Sequence, residues 1–260
     1  MKVAMLGDII GRPGRRAVKQ ILPQLKKKHE VDFVIANGEN SAGGVGITEK
    51  VAEELFAAGV NVITTGNHVW DKKEAIQLLE REPRILRPAN YPPGTPGLGM
   101  NVYSIKPDLK IGIFNLSGTV FMEDLACPFR TAMEIIEQLK KQTQIIVLDF
   151  HAEATAEKIA LAKYLDGHIT ALCGTHTHVQ TADEKIFPGG TAYITDLGMV
   201  GPSDSVLGVD AKLVIKKFLT RMPVRFEVAK GPVEVQGVVV EIDENTGKAF
   251  SIKRINETCV

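Results

Sequence analysis

Five apolar runs in this chain each end in a short polar cluster. Val3-Ala4-Met5-Leu6 leads into Gly7-Asp8, Asp32-Phe33-Val34-Ile35-Ala36 into Gly38-Glu39-Asn40, and Val60-Asn61-Val62-Ile63-Thr64 into Gly66-Asn67-His68. Later, Ile145-Ile146-Val147-Leu148 leads into Phe150-His151, and Ile169-Thr170-Ala171-Leu172-Cys173 into Gly174-Thr175-His176-Thr177-His178. Runs of this length, rich in Val and Ile and bounded by Gly, predict buried strands. The first three, at 2–7, 32–36 and 61–65, alternate with expected helices from Pro13 to Lys28, Thr48 to Ala58 and Asp71 to Glu80. Pro13 suits a first helical turn, Thr48 a cap and Gly59 a terminus. This βαβαβ rhythm predicts a parallel sheet with right-handed crossovers.

Residues 82–101 read as a Pro/Gly-rich loop. Strands are expected near 102–105 and 111–115, then a helix over 129–141, a strand at 145–149, a helix over 155–164 and a strand at 169–173. Strands near 185–187 and 191–194, a Gly-rich loop at 198–208 and a helix near 210–219 follow. The chain closes with short, antiparallel strands near 224–228, 233–242 and 248–254. With no repeat, low-complexity segment or linker, residues 1–260 read as a single α/β domain with two packed sheets. If neighbouring strands run the same way, the five polar clusters gather at one sheet edge, where α/β proteins place ligands.

Composition narrows the partners. Lys plus Arg and Asp plus Glu both number 31, which argues against a nucleic-acid scaffold or a membrane surface and predicts no stable binding of duplex nucleic acid. No run approaches the ~18 apolar residues of a membrane span, and the N-terminus reads as a first strand rather than a signal peptide. Cys127, Cys173 and Cys259 are odd in number and widely spaced, without zinc spacing or a disulfide framework, so the expected setting is the reducing cytoplasm.

The converging side chains suit divalent metals. Asp8 and Glu39 offer carboxylates, Asn67 a side-chain carbonyl, and His151, His176 and His178 imidazoles; a carboxylate can bridge two ions. His176 and His178 point the same way only if the backbone turns, and Gly174 is the expected turning residue. Each element alone has a plain structural reading, as a helix cap or a turn, but their joint occurrence at successive strand ends predicts a metal site. The Gly11-Arg12-Pro13-Gly14-Arg15 turn reads equally as a phosphate cradle and as a tight strand-to-helix connection. His29 and His168 fall outside the pattern.

The order Gly-Asp, Gly-Glu-Asn, Gly-Asn-His, lone His and Gly-Thr-His-Thr-His resembles the calcineurin-like metallophosphoesterases. Gly7-Asp8-Ile9-Ile10-Gly11, Asn37-Gly38-Glu39-Asn40-Ser41, Gly66-Asn67-His68-Val69-Trp70-Asp71 and Gly174-Thr175-His176-Thr177-His178-Val179-Gln180 are similar to one branch, the YmdB-like cyclic-nucleotide phosphodiesterases. Thr195-Asp196-Leu197-Gly198-Met199 with Gly201-Pro202 extends the likeness over essentially the whole chain. The resemblance implies a four-layer α/β/β/α sandwich and two metal ions, iron or manganese first, with zinc as the alternative. One ion would be held by Asp8, Glu39, Asn40 and His178, the other by Glu39, Asn67, His151 and His176, with Glu39 bridging. His68 would be the general acid while metal-bound hydroxide attacks phosphorus in line. Three departures stand out: Ile10 occupies the place of the superfamily's Asp-X-His histidine, Glu39 stands where Asp is common, and Thr119 stands where the branch more often carries Arg.

The implied substrates are cyclic nucleotides, 2′,3′-cyclic and also 3′,5′-cyclic, or an RNA-end phosphate. A broader phosphomonoesterase or nuclease, and a regulatory RNA-processing partner protein with a secondary metal site, are the alternatives; a homo-oligomer stays open. The Gly-rich loop is expected to border the metal cleft and to offer the Ser203 and Ser205 hydroxyls to substrate.

Overall fold

The computed structural model describes residues 1–259. One sheet contains β1 (Lys2–Leu6), β2 (Asp8–Ile9), β3 (Phe33–Asn37), β4 (Val62–Thr64), β5 (Ile85–Leu86), β12 (Met199–Pro202), β13 (Val233–Ile242) and β14 (Ala249–Cys259). Its order is β2-β12-β13-β1-β3-β4-β5, with β14 paired to β13. The run β1-β3-β4-β5 is parallel, as expected, while β13 is antiparallel to β1. The second sheet has the order β10-β11-β9-β8-β7-β6, from β6 (Met100–Lys106), β7 (Leu109–Ser117), β8 (Ile146–His151), β9 (Ala171–Thr175), β10 (Lys185–Ile186) and β11 (Ala192–Ile194). Its strands β7, β8, β9 and β11 are parallel. The helices are α1 (Gly11–His29), α2 (Glu49–Ala57), α3 (Ala75–Arg81), α4 (Pro128–Leu139), α5 (Thr155–Tyr164) and α6 (Ala211–Thr220).

Side chains alternate faces along a strand, so each buried strand feeds two cores. Ala4, Leu6, Val34, Ala36 and Ile63 pack with Val18 and Leu22 of α1, Leu55 of α2 and Leu78 of α3. Val3, Met5, Phe33, Ile35 and Val62 pack instead against Ile111, Ile113, Val147, Ala171 and Cys173 of the other sheet. Phe114, Leu116, Ile146, Leu148 and Phe150 pack against Ile135 and Ile136 of α4 and Leu161 of α5. Three cores between successive layers make the α/β/β/α sandwich.

The same alternation turns the middle layer polar near the strand ends. Asn37 follows Phe33 and Ile35 on the inter-sheet face, Thr64 follows Val62, Asp149 follows Val147, and Thr175 follows Ala171 and Cys173. All four polar residues are buried. Asn37 Nδ2 donates to Asp149 Oδ2 at 3.0 Å, Thr175 Oγ1 donates to Asp149 Oδ1 at 2.7 Å, and Thr64 Oγ1 also donates to Asp149. One carboxylate therefore ties the two sheets together directly beneath their parallel-strand ends.

Several boundaries differ from the sequence reading. Residues 82–101 contain β5 and the start of β6, and 198–208 contain β12. Helix α3 starts at Ala75 because turns occupy 68–74. The expected strand at 224–228 is absent: Val228 makes a single bridge to Val209, and Phe226, Glu227 and Val228 wall a cleft instead. Replacing Asp149 with alanine removes the acceptor shared by three buried donors, leaving Thr175 Oγ1 with none and Asn37 and Thr64 with only the Thr65 and Ala36 carbonyls, so Asp149→Ala should lower stability by more than about 2 kcal/mol. Urea denaturation of chelator-treated protein reads this; a midpoint equal to the parent's would show that the carboxylate does not hold the seam.

Candidate metal centre

The five polar clusters do not share one sheet edge. Asp8, Glu39, Asn40, Asn67 and His68 follow strands of the first sheet, while His151, His176 and His178 end strands of the second. The sandwich brings both sets of strand ends to one place. Suitable ligand atoms of Glu39, His151 and His176 lie within 4.8 Å of one another, as do those of Asp8, Glu39 and His178. Glu39 is common to both groups. Asn67 Oδ1 stands 2.9 Å from His151 Nε2, and Asn40 Nδ2 stands 3.0 Å from Glu39 Oε1 and 3.2 Å from His178 Nε2. All seven expected ligands are therefore assembled.

Gly174 is not the turning residue. It lies inside β9, where an added Cβ would sit 1.9 Å from the Thr195 carbonyl oxygen, so close strand packing is its role. The turn is made by the histidines themselves, with φ of 100° at His176 and 61° at His178. Left-handed backbone costs an L-residue roughly 1–2 kcal/mol, and it persists only where neighbours over-determine it. Here the His176 N–H donates to Asp8 Oδ2 at 3.1 Å, and the Thr177 N–H and hydroxyl donate to Asp196 Oδ2. The buried Lys158 ammonium donates to the same Asp196 oxygen and to the Thr175 carbonyl, both at 2.8 Å.

Hydrogen bonds around the rings fix where the lone pairs point. Thr175 Oγ1 gives its proton to Asp149, so His151 Nδ1, 2.9 Å away, must donate to Thr175. His151 Nε2 then faces Glu39 Oε1 at 3.2 Å, Asn67 Oδ1 at 2.9 Å and His176 Nδ1 at 3.0 Å. His178 Nδ1 is 3.1 Å from the Leu207 carbonyl, which turns Nε2 toward Asp8 Oδ1 at 3.7 Å. Asp8 Oδ1 is buried and has no hydrogen-bond partner. An added Cβ on Gly66 would lie 2.3 Å from both Glu39 Oε2 and His151 Cδ2, so Gly keeps this space clear. Converging lone pairs around an orphaned buried oxygen are what a cation resolves, and the donor set of carboxylate, imidazole and amide oxygen fits one.

Charge in the metal-free pocket is correspondingly unbalanced. Burial raises the Asp8 carboxyl to about 7. Burial opposes charge on Glu39 too, but the adjoining His151 outweighs it and holds that carboxyl low. Burial, reinforced by His151, pushes His176 down to about 3, leaving it a neutral donor.

A cleft of about 580 Å³ opens onto this centre, lined by His68, His176, His178, Glu153, Asn40 and Val45 among others. His68 Nδ1 is 2.8 Å from Asp71 Oδ2, which leaves Nε2 for the cleft; its N–H donates to Glu39 Oε2 at 3.2 Å. The 198–208 segment reaches the cleft through Leu207 and Gly208. Ser205 Oγ donates to the Pro202 carbonyl and accepts from the Gly208 N–H, and Ser203 bonds the Pro232 carbonyl, so both hydroxyls serve the loop itself. Gly11 N–H donates to the Asn40 carbonyl and Gly14 N–H to the Ile10 carbonyl, so these two amides of the Gly11–Arg15 turn are taken up by the strand-to-helix connection. Thr119 is bonded to Glu157 and lies outside the cleft lining. Glu153, which holds His176 Nε2 at 3.0 Å, carried no sequence signal because a single Glu two residues after a strand is indistinguishable from a surface residue.

The four layers and a polar centre at the meeting strand ends define a fold of the metallophosphoesterase type, with donors for divalent metal. The chain belongs to the YmdB-like protein family, whose model matches residues 4–255. It is 49% identical over 255 residues to a 2′,3′-cyclic-nucleotide 2′-phosphodiesterase of Bacillus subtilis, covering 98% of this chain and 96% of that one. A crystal structure of a novel phosphatase of Mycoplasma pneumoniae superposes with a TM-score of 0.94 at 39% identity, covering 99% of this chain and 93% of that one. A hypothetical protein from Thermus thermophilus gives 0.93 at 38% identity, covering 99% of both chains.

The protonated Asp8 carboxyl is favoured by the metal-free fold, so its contribution is fully present below pH ~4 and is lost as pH rises through about 7. Asp8→Asn stays neutral throughout. Chelator-treated Asp8→Asn should therefore melt above the chelator-treated parent at pH 8, with the gap narrowing toward pH 5. A gap independent of pH would contradict the assignment of charge to Asp8.

Proposed function

We propose that this protein is a binuclear metal-dependent phosphodiesterase that hydrolyses 2′,3′-cyclic nucleotides. The observation that carries the reading is the shared position of Glu39 in two ligand groups. A carboxylate has two oxygens, so Glu39 would serve both ligand groups at once. Asp8, Asn40 and His178 would complete one site, and Asn67, His151 and His176 the other. A half-turn of the Asn40 amide would present Oδ1 in place of Nδ2. Iron or manganese suits this mixture of oxygen and imidazole donors. Bound there, the ions supply Lewis-acid polarisation of the phosphate and acidify a water for in-line attack.

The chain's own groups do the rest. Asp71 orients the His68 ring, and the Nε2 proton is given to the departing ribose oxygen. Glu153 and the Leu207 carbonyl fix the rings of His176 and His178 through their outer nitrogens. Residues 1–260 act as one domain in this reading, because neither sheet holds a complete set of donors. Support for a cytoplasmic setting comes from Cys127, Cys173 and Cys259, all of them free. No helix among the described residues is long and apolar enough to cross a membrane.

Elemental analysis of protein purified without added metal should find two ions per chain, and Glu39→Gln should lose metal and activity together while keeping the fold. A fully metallated, active Glu39→Gln protein would sink the bridging assignment. His68→Ala should retain both ions but lose ~10²–10⁴ in rate on 2′,3′-cyclic nucleotides. It should lose less on aryl phosphodiesters, whose leaving groups need little protonation. Loss of metal in that variant would make His68 a ligand instead. Assays on 3′,5′-cyclic nucleotides and on phosphomonoesters separate the cyclic-diester reading from a broader phosphatase.

A further inference from the structure

A second concavity of about 440 Å³ lies beside the metal cleft, between α1 and the open end of the β13–β14 pair. Arg12, Arg16, Gln20 and Lys230 furnish its polar lining, and Pro13, Ala17, Val233 and Cys259 are among its walls. Among the described residues no acidic side chain lines it, and Arg12, Arg16 and Lys230 enter no ion pair. Arg12, Arg16 and Gln20 follow one another at helical spacing, so they form a single stripe along α1.

The charge is local. In a chain with 31 basic and 31 acidic residues, the sequence of α1 holds seven Lys and Arg and no Asp or Glu. Arg15 is accounted for by its bonds to Glu54 and to the Ser41 carbonyl. Arg12 and Arg16 have no such structural use, and cations in the first turns of a helix oppose its dipole. Their clustering around a cavity offers a place for an anion.

The groove and the cleft are lined by neighbouring residues of the same two segments. Ile10 and Val228 line the metal cleft, and two residues further along the same two segments Arg12 and Lys230 line the groove. Gly11 lies between them, its absent Cβ only 3.0 Å from a Val228 methyl. Two residues span at most ~7 Å, so the two linings lie within about one nucleotide unit of each other along these segments. We propose that the Arg12–Arg16–Lys230 groove binds the backbone phosphate of the nucleotide preceding a 2′,3′-cyclic phosphate, so that the preferred substrate is the end of a single-stranded oligoribonucleotide and not a free mononucleotide. This rests on the phosphodiesterase reading above. The reaction itself is unchanged: one water adds, the P–O2′ bond opens with the proton going to O2′, and a 3′-phosphate remains.

The test compares one-, two-, three- and five-residue RNAs ending in 2′,3′-cyclic phosphate on the metal-loaded full chain. kcat/KM should rise about tenfold or more from one to three residues and fall with salt. The Arg12→Ala/Arg16→Ala/Lys230→Ala variant should abolish that rise, reduce the logarithmic salt slope by about 0.7, and leave turnover of the mononucleotide unchanged. Equal kcat/KM at all lengths, or equal loss on mononucleotide and oligonucleotide, overturns the groove. If no cyclic phosphate is turned over, the phosphodiesterase reading fails on its own. The groove is then judged by fluorescence anisotropy with a labelled five-residue RNA bearing a 3′-phosphate, where equal affinity of parent and variant overturns it. A gain restored by free inorganic phosphate added to the mononucleotide assay would mark an effector site and overturn the strand assignment.

Discussion

Buried carboxylates need counter-charge, and this molecule places three of them at the meeting of its two sheets. Asp8, Glu39 and Asp149 are all essentially inaccessible to water. Asp149 is answered by hydroxyl and amide donors from both sheets. Glu39 and Asp8 face imidazole nitrogens, and one Asp8 oxygen has no donor at all. Taking an ionised carboxylate out of water costs several kcal/mol unless it is paired or coordinated. The arrangement is therefore a frame built for cations. Its stability and its chemistry are the same problem.

The frame works because rigid elements hold the donors. Each side chain sits at or just beyond the end of a strand locked in a parallel ladder, and the outer nitrogens of the three histidines are tied to Thr175, Glu153 and the Leu207 carbonyl. Outer-shell bonds of this type settle which ring nitrogen faces the site. The left-handed turns at His176 and His178 add a second layer of control. They aim two rings from adjacent positions of one loop, and the Lys158–Asp196 pair beneath keeps the loop from relaxing.

Access to the centre is shaped by segments that lack regular structure. Residues 224–228 alternate like a strand, yet Phe226, Glu227 and Val228 form a cleft wall. Leu207 contributes both a wall and a carbonyl to His178, which links the shape of the cleft to the orientation of a donor. On the far side of Gly11, the basic stripe of α1 places positive charge next to a site whose own residues are mainly acidic and neutral.

The chain's periodicity determined a good deal. Val/Ile runs ending in Gly and polar residues marked β1, β3, β4, β8 and β9, and the polar clusters named the donors, because local pattern encodes both strand identity and the residue at its end. The helix starting at Glu49 was legible from its Thr48 cap, whose hydroxyl accepts from the Val51 N–H. Other features depended on partners far along the chain. The two-residue strands β2 and β5 exist only through pairing with β12 and β4, too short a signal for any window of sequence. The role of Gly174 was misread because its constraint is the Thr195 carbonyl across a strand pair. Which nitrogen each histidine presents, and the recruitment of Glu153, follow from contacts between residues 23 to 29 apart in the chain. Sequence determined which chemical groups stand at the strand ends. Only the stacking of one sheet on the other decided that they meet, because that contact is made by side chains on opposite faces of the middle layer and is encoded by no single segment.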